Sequence, residues 1–212
     1  MNEPALRLEE KIISLFSNLK TEIYQGWVLK ETSCHTIVYP LYGSSDNSIV
    51  KRIRACEEIS RQKSLSCVFR IIEHTNYHLA ACLEDNGYKL RHCYIVGERH
   101  LNEAGSQPVP DQCEESKKRK VTLRKTTGKN ITENIVVNDG SVVGIKRQGI
   151  LYLPNGELPH DVEISDIFLF ATENQISEVL VNIPEDEKLL TYYKEAGFHK
   201  AYLYRCYQKE DL

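Results

Sequence analysis

Displaced by 110 positions, the chain falls over itself without a gap, residues 40–96 lying on residues 150–206. Leu41-Tyr42 meets Leu151-Tyr152, Leu79 meets Leu189, Gly87-Tyr88 meets Gly197-Phe198, and Tyr94 meets Tyr204. Identities are few, but both stretches read strand, helix, strand, helix, Gly-aromatic, strand in the same order and at the same lengths. Alternation of this kind calls for mixed sheets flanked by helices, an α/β (α+β) chain. The expectation is two tandem, related lobes, although generic α/β units of similar length could overlap in this way without kinship.

Local patterns fill in the frame. In residues 5–19, Leu8, Ile12, Leu15, Phe16 and Leu19 form one helical stripe. "YQGWVLKE" and "CHTIVYPLY" read as strands, and residues 48–63 as an amphipathic helix with Ile49, Ile53 and Cys56 inside. A strand "LSCVFRII", a helix "YHLAACLEDNG" stopped by Gly87, and a strand "YKLRHCYIVGE" follow. From Gly105 to Gly128, prolines, acids and then the basic run "KKRKV" suggest a solvated connector. That run also resembles a nuclear-import signal or an anion patch, but short basic runs are common in solvated linkers. Beyond it, "NDG" between two β-rich runs predicts a hairpin. A helix over Val162–Gln175, a strand over Glu178–Ile183, a helix over Glu185–Glu195 and a strand over Phe198–Tyr207 complete the chain. The expected organisation is a lobe over 1–104, a connector over 105–128 and a second lobe over 129–212.

Composition excludes several classes of function. A net charge of −3 over 212 residues leaves no general basic face for nucleic acid. No apolar run is long enough to span a bilayer, and "MNEPALRLEE" lacks the order of a signal peptide, so a cytoplasmic protein without a membrane partner is expected. Seven cysteines, an odd number with no CxxC pair, argue against a disulfide framework. Cys34-His35 and His92-Cys93 are adjacent pairs, whose side chains point to opposite faces of a strand, so no metal site is expected from them.

The segment "LLTYYKEAGFHKAYLYRCY" resembles the C-terminal end of the GNAT acyltransferase superfamily, with Tyr193 four residues before Gly197-Phe198 and alternating aromatics after it. In the first half, "YQGWVLKE", "YPLYGSS", "IRACEEIS", "VFRI" and "LEDNGYKL" are similar, in that order, to GNAT proteins carrying a degenerate N-terminal GNAT-like half ahead of the catalytic one. The resemblance implies transfer of an acyl group from acyl-CoA, acetyl-CoA in particular, to a small-molecule or peptide amine. It also implies that the cofactor's pantetheine arm lies along Gly149, Ile150, Leu151 and Leu153, with its pyrophosphate on the turn at Asn155 and Gly156. Tyr193 would protonate the departing thiolate; a phenol of pKa ~10 holds a proton at neutral pH. A core-facing aromatic is the equally open alternative. The matching residue in the first half is Leu83, which has no proton to give.

The turn departs from the pattern. The family order of Gln or Arg, two residues, Gly, any residue, then Gly or Ala falls on "NGELPH", where Leu158 and His160 replace both glycines. A Cβ obstructs the close approach of phosphate to backbone amides, and Pro159 removes one amide altogether. Glu157, Asp161, Glu163 and Asp166 crowd the same helix start without a Lys or Arg among them. Carboxylates there stabilise the helix by ~0.3–1 kcal/mol each and repel a phosphate. The stretch before the hairpin is also too short for the pair of helices that usually walls the amine site. Two readings therefore stand: a divergent N-acyltransferase, or a non-catalytic GNAT-like module for binding or interaction. Self-association through exposed sheet edges is a third, more generic possibility.

Overall fold

The computed structural model describes residues 3–42, 48–73, 75, 77–101, 122–125, 132–136, 142–160 and 162–210. Most of the 105–128 connector and the Asn138-Asp139-Gly140 turn lie outside these residues. The chain is α+β, and it divides into two compact units. The first comprises Met1–Ile13, Ser17–Tyr94 and Tyr202–Leu212; the second comprises Ser14–Phe16 and Ile95–Ala201.

The first unit is built from α1 (Glu3–Leu15), β1 (Thr21–Tyr24), β2 (Trp27–Glu31), β3 (His35–Tyr39), α2 (Ile49–Gln62), β4 (Ser66–Ile72) and α3 (Tyr77–Asp85). The leading half of β5 (Lys89–His100) and most of β11 (His199–Gln208) complete it. Its strand order is β1-β2-β3-β4-β11-β5, with β3 and β4 parallel and β11 antiparallel to β4. The expected strand "YQGWVLKE" is β2 over Trp27–Glu31, but its opening residues form a hairpin turn after β1: Gln25 and Gly26 have φ of 47° and 83°. Positive φ at both central residues matches the right-handed twist of the flanking strands, so the chain reverses there. In the core, Phe69 packs edge-on against Trp27 and Tyr88 at centroid distances of 6.0 and 5.1 Å. Leu83 is fully buried beside them.

One ion pair sits inside this unit. Arg70 on β4 donates from Nε and a terminal nitrogen to Glu9 of α1 at 2.5 and 2.8 Å, and the Tyr202 hydroxyl donates to the same carboxylate. All three residues are buried, and the Arg70 guanidinium lies 3.5 Å from the Tyr204 ring centroid. Removing one partner of such a pair typically costs ~3–5 kcal/mol, because the other charge is left uncompensated.

The second unit contains β6 (Thr122–Lys125), β7 (Glu133–Val136), β8 (Val142–Arg147), β9 (Ile150–Leu153), α4 (Ile164–Glu173), β10 (Glu178–Pro184) and α5 (Glu187–Glu195). With the trailing half of β5 and the opening residues of β11, its order is β11-β5-β10-β9-β8-β7-β6. β9 and β10 are parallel, while β6, β7, β8 and β9 form antiparallel neighbours. Its core gathers Leu151, Leu153, Ile167, Phe168, Val179, Val181, Ile183, Tyr193 and Phe198. The order parallel strand, helix, parallel strand, helix, strand occurs twice along the chain, as β3-α2-β4-α3-β5 and as β9-α4-β10-α5-β11.

Candidate functional site

The sequence-derived site residues of the second unit fall around the end of the β9–β10 pair. Register runs from Ile150↔Glu178 to Leu153↔Val181. On its other side β9 pairs with β8 through Arg147↔Ile150, Lys146↔Leu151 and Ile145↔Tyr152. An extended arm that adds itself to this strand therefore finds the β10 side taken through Leu153 and the β8 side through Tyr152, and the next residue, Pro154, carries no N–H. Gly149 lies at the opposite end of the strand. With Gln148 it makes the β8–β9 turn, the two at φ of 77° and 48°, and its carbonyl accepts from the Ser177 N–H at 2.8 Å.

Beyond Leu153 the loop drops onto β10. A Cβ placed on Gly156 would lie 2.6 Å from the Asn182 carbonyl oxygen and 3.0 Å from the Ile183 Cα. Gly156 is buried, Asn155 is exposed, and Leu158 packs partly buried against the core. Tyr193 of α5, fully buried, donates its hydroxyl to the Gly156 carbonyl at 2.8 Å. Its ring meets Phe198 and Tyr192 edge-on, each at 5.3 Å. Burial pushes the Tyr193 phenol well above its ordinary range, with the neighbouring Tyr192 adding to the effect. The proposed proton donor and the loop expected to hold the cofactor, 37 residues apart, are thus in direct contact.

The helix start beside this loop satisfies itself. The Glu163 N–H donates to Asp166 Oδ2 at 2.9 Å, and the Ile164 N–H donates to the Tyr192 hydroxyl at 3.1 Å. Asp166 is buried, whereas Glu157 and Glu163 are exposed; Asp161 lies outside the described residues. The residues as arranged therefore do not fit a coenzyme A pyrophosphate. Leu158 and His160 carry side chains, Pro159 has no N–H, the Glu163 and Ile164 amides at the helix start are engaged, and Gly156 lies close against β10.

Sequence reasoning passed over Asn182. Val179, Val181 and Ile183 of β10 face the core, so Asn182 points to the other face. It is buried, and its Oδ1 has no hydrogen-bond partner among the described residues. An orphaned buried acceptor costs ~1–3 kcal/mol unless a donor is supplied. A polar residue inside an otherwise apolar strand "EVLVNIP" was the available signal. A second group also escaped notice: Glu98, His100 and Glu178, whose ligating atoms lie within 4.8 Å of one another.

A parallel strand pair that ends at a loop and a helix start, with a tyrosine of the next helix beneath it, belongs to an α+β fold. The fold is that of the GCN5-related N-acetyltransferases, the GNAT proteins. A GCN5-related N-acetyltransferase from Kribbella flavida superposes with a TM-score of 0.66 at 10% identity, over 98% of this chain and 96% of that one. A second, from Sphaerobacter thermophilus, gives 0.54 at 14% identity over 95% and 85%. A functionally unknown conserved protein from Staphylococcus epidermidis ATCC 12228 gives 0.59 at 9% identity over 95% and 98%. No protein-family model and no curated protein sequence matches the chain. Among the described residues, no helix is long and apolar enough to cross a membrane.

Proposed function

We propose that the protein is a divergent GNAT-type N-acyltransferase of the cytoplasm, moving an acyl group from acyl-CoA, with acetyl-CoA as the simplest donor, to a small-molecule or peptide amine. The observation that carries the reading is the Tyr193 hydroxyl at the loop that ends the parallel pair. The Tyr193 hydroxyl lies under Gly156, and the orphaned Asn182 oxygen lies one residue past Val181 on the opposite face. A bound donor would supply the activated acyl group. Tyr193 would hold the proton that a leaving thiolate needs, and Asn182 would accept from an amine N–H.

The loop must leave β10 first, and magnitudes decide whether that is tolerable. Opening forfeits the Tyr193–Gly156 hydrogen bond, ~0.5–1.5 kcal/mol, and re-exposes part of Leu158, about 1–2 kcal/mol more. A toll of about 1.5–3.5 kcal/mol weakens a ligand by about 10- to 300-fold, since ~1.4 kcal/mol is tenfold. A donor of micromolar intrinsic affinity would then bind at tens to hundreds of micromolar, weakly but usefully.

The second reading, a non-catalytic binding module, is favoured by the closeness of Gly156 to β10 and by the occupied amides of α4. Thermal shift with acetyl-CoA, paired with thiol release in the presence of an amine panel, separates the two. The enzyme reading expects a saturable shift and turnover, and Tyr193→Phe should keep the shift while turnover falls by about 10²–10⁴. Absence of both shift and thiol release at millimolar acetyl-CoA would leave the module.

A further inference from the structure

Three neighbouring strands of the second unit, β11, β5 and β10, bring four chemically related side chains together. Glu98 and His100 stand two apart on β5 and so share a face. Glu178 opens β10 and His199 opens β11. One ligating atom from each of Glu98, His100 and Glu178 lies within 4.8 Å of the others. Glu98 Oε1 is 3.1 Å from His100 Nε2, and Glu98 Oε2 is 3.3 Å from His199 Nε2. The two imidazoles lie near-parallel with centroids 6.4 Å apart. Glu178 is only 6% exposed and the Glu98 side chain 17%.

We propose that Glu98, His100 and Glu178 form a binding site for a divalent transition-metal ion of the zinc class, with His199 orienting Glu98. Donors around zinc at ~2.0–2.2 Å sit roughly 3.3–3.6 Å apart in a tetrahedron, so the observed spacings need only small side-chain rotations. A dication placed between two sheltered carboxylates is attracted by both. The imidazole donor selects zinc, cobalt or iron over magnesium or calcium, which prefer all-oxygen shells. His199, on the second oxygen of Glu98, plays the part of the outer hydrogen bond that fixes a ligand's orientation. The site lies at the opening of β10, about 13 Å along the strand from Asn182 at ~3.3 Å per residue. It is therefore separate from the proposed acyl-transfer site and independent of that reading. Its effect is to clip β5 to β10, joining positions 98 and 100 to position 178, far away in sequence.

The test uses the full chain without an affinity tag, stripped with chelator and titrated with Co²⁺ as the optical probe. One equivalent should bind with a d–d absorption band and without the thiolate charge-transfer band that cysteine ligation gives. At a hundredfold excess over the dissociation constant, Co²⁺ or Zn²⁺ should raise the folded-to-unfolded ratio about 100-fold, read as a higher thermal midpoint. His100→Ala, at a partly exposed position, should abolish both signals while circular dichroism stays native, and His199→Ala should weaken binding about 10- to 100-fold. A chain with no band and no shift at millimolar metal would overturn the proposal. So would binding that survives His100→Ala, or a band showing cysteine ligation.

Discussion

Replacing Gly156 by alanine tests the closed loop directly. The added methyl would start 2.6 Å from the Asn182 carbonyl oxygen, 2.9 Å from the Pro184 Cδ and 3.0 Å from the Ile183 Cα. Two of these are main-chain atoms of a strand and cannot turn aside. Ordinary contact begins at 3.4 Å, so the loop must retreat by roughly 0.8 Å. Overpacking of this kind costs ~1–3 kcal/mol. A shift of that size also strains the 2.8 Å bond from Tyr193 to Gly156, which is worth ~0.5–1.5 kcal/mol. Together they lower stability by about 1.5–4.5 kcal/mol, seen as a fall in Tm of roughly 3–18 °C at ~2–4 °C per kcal/mol for a chain of this length. The same strain removes much of the toll on opening, so acetyl-CoA should bind at least about tenfold more tightly to Gly156→Ala than to the parent. Differential scanning fluorimetry and calorimetric titration read the two quantities, which must move in opposite directions. A destabilised variant with no gain in cofactor affinity would refute the idea that the loop is a lid over a donor site. An unchanged Tm would refute the packing argument itself.

Asn182→Leu should hold or raise Tm, because it replaces an orphaned buried amide by an apolar side chain of similar size, while thiol release falls by tenfold or more; a large loss of stability would show that the amide is satisfied after all. Stability should also fall in alkali, since burial pushes the Cys67 and Cys206 thiols up to about 11. The unfolded thiols release their protons near ~8.5, so this contribution is complete below that pH and is lost as pH rises toward 11, at up to ~1.4 kcal/mol per pH unit for each thiol. Urea midpoints flat from about pH 7 to 8 and declining steadily to about pH 10.5 are expected, and a curve level throughout would contradict it.

Much of the architecture was legible because the governing patterns are local. Leu8, Ile12 and Leu15 recur at helical spacing and are buried as one stripe of α1. Gly87 and Gly197, at φ of 84° and 82°, close α3 and α5 where a left-handed residue is needed, and each is followed by a buried aromatic. What was hidden depends on partners distant in sequence. Nothing in "AYLYRCY" announces that Tyr204 pairs with Ile72 of β4, nor that Tyr202 shares a carboxylate with Arg70. The Gln25-Gly26 reversal was masked because glutamine in a left-handed position carries no composition signal. Glu98, His100 and Glu178 escaped for the same reason: a ligand set spread over two strands has no spacing to read.

The side chains at positions 158 and 160 and the glycine at position 156 have one physical cause. Once Asp166 accepts the Glu163 N–H and the Tyr192 hydroxyl accepts the Ile164 N–H, the start of α4 has no need of an anion. A helix start that caps itself tolerates side chains at positions 158 and 160, since nothing has to approach its amides closely. The loop is then free to settle on β10, and that contact imposes its own demand. Its backbone must pass so near Asn182 and Ile183 that only Gly156 fits. The glycine that survives in "NGELPH" is therefore explained by strand packing and by the carbonyl it presents to Tyr193, with no phosphate required. It follows that returning glycine to positions 158 and 160 alone should do little for cofactor binding, because Asp166 still fills the helix start. Pairing those changes with Asp166→Asn, which removes the charge at the engaged amides, is the combination expected to tighten acetyl-CoA binding over that of the parent chain.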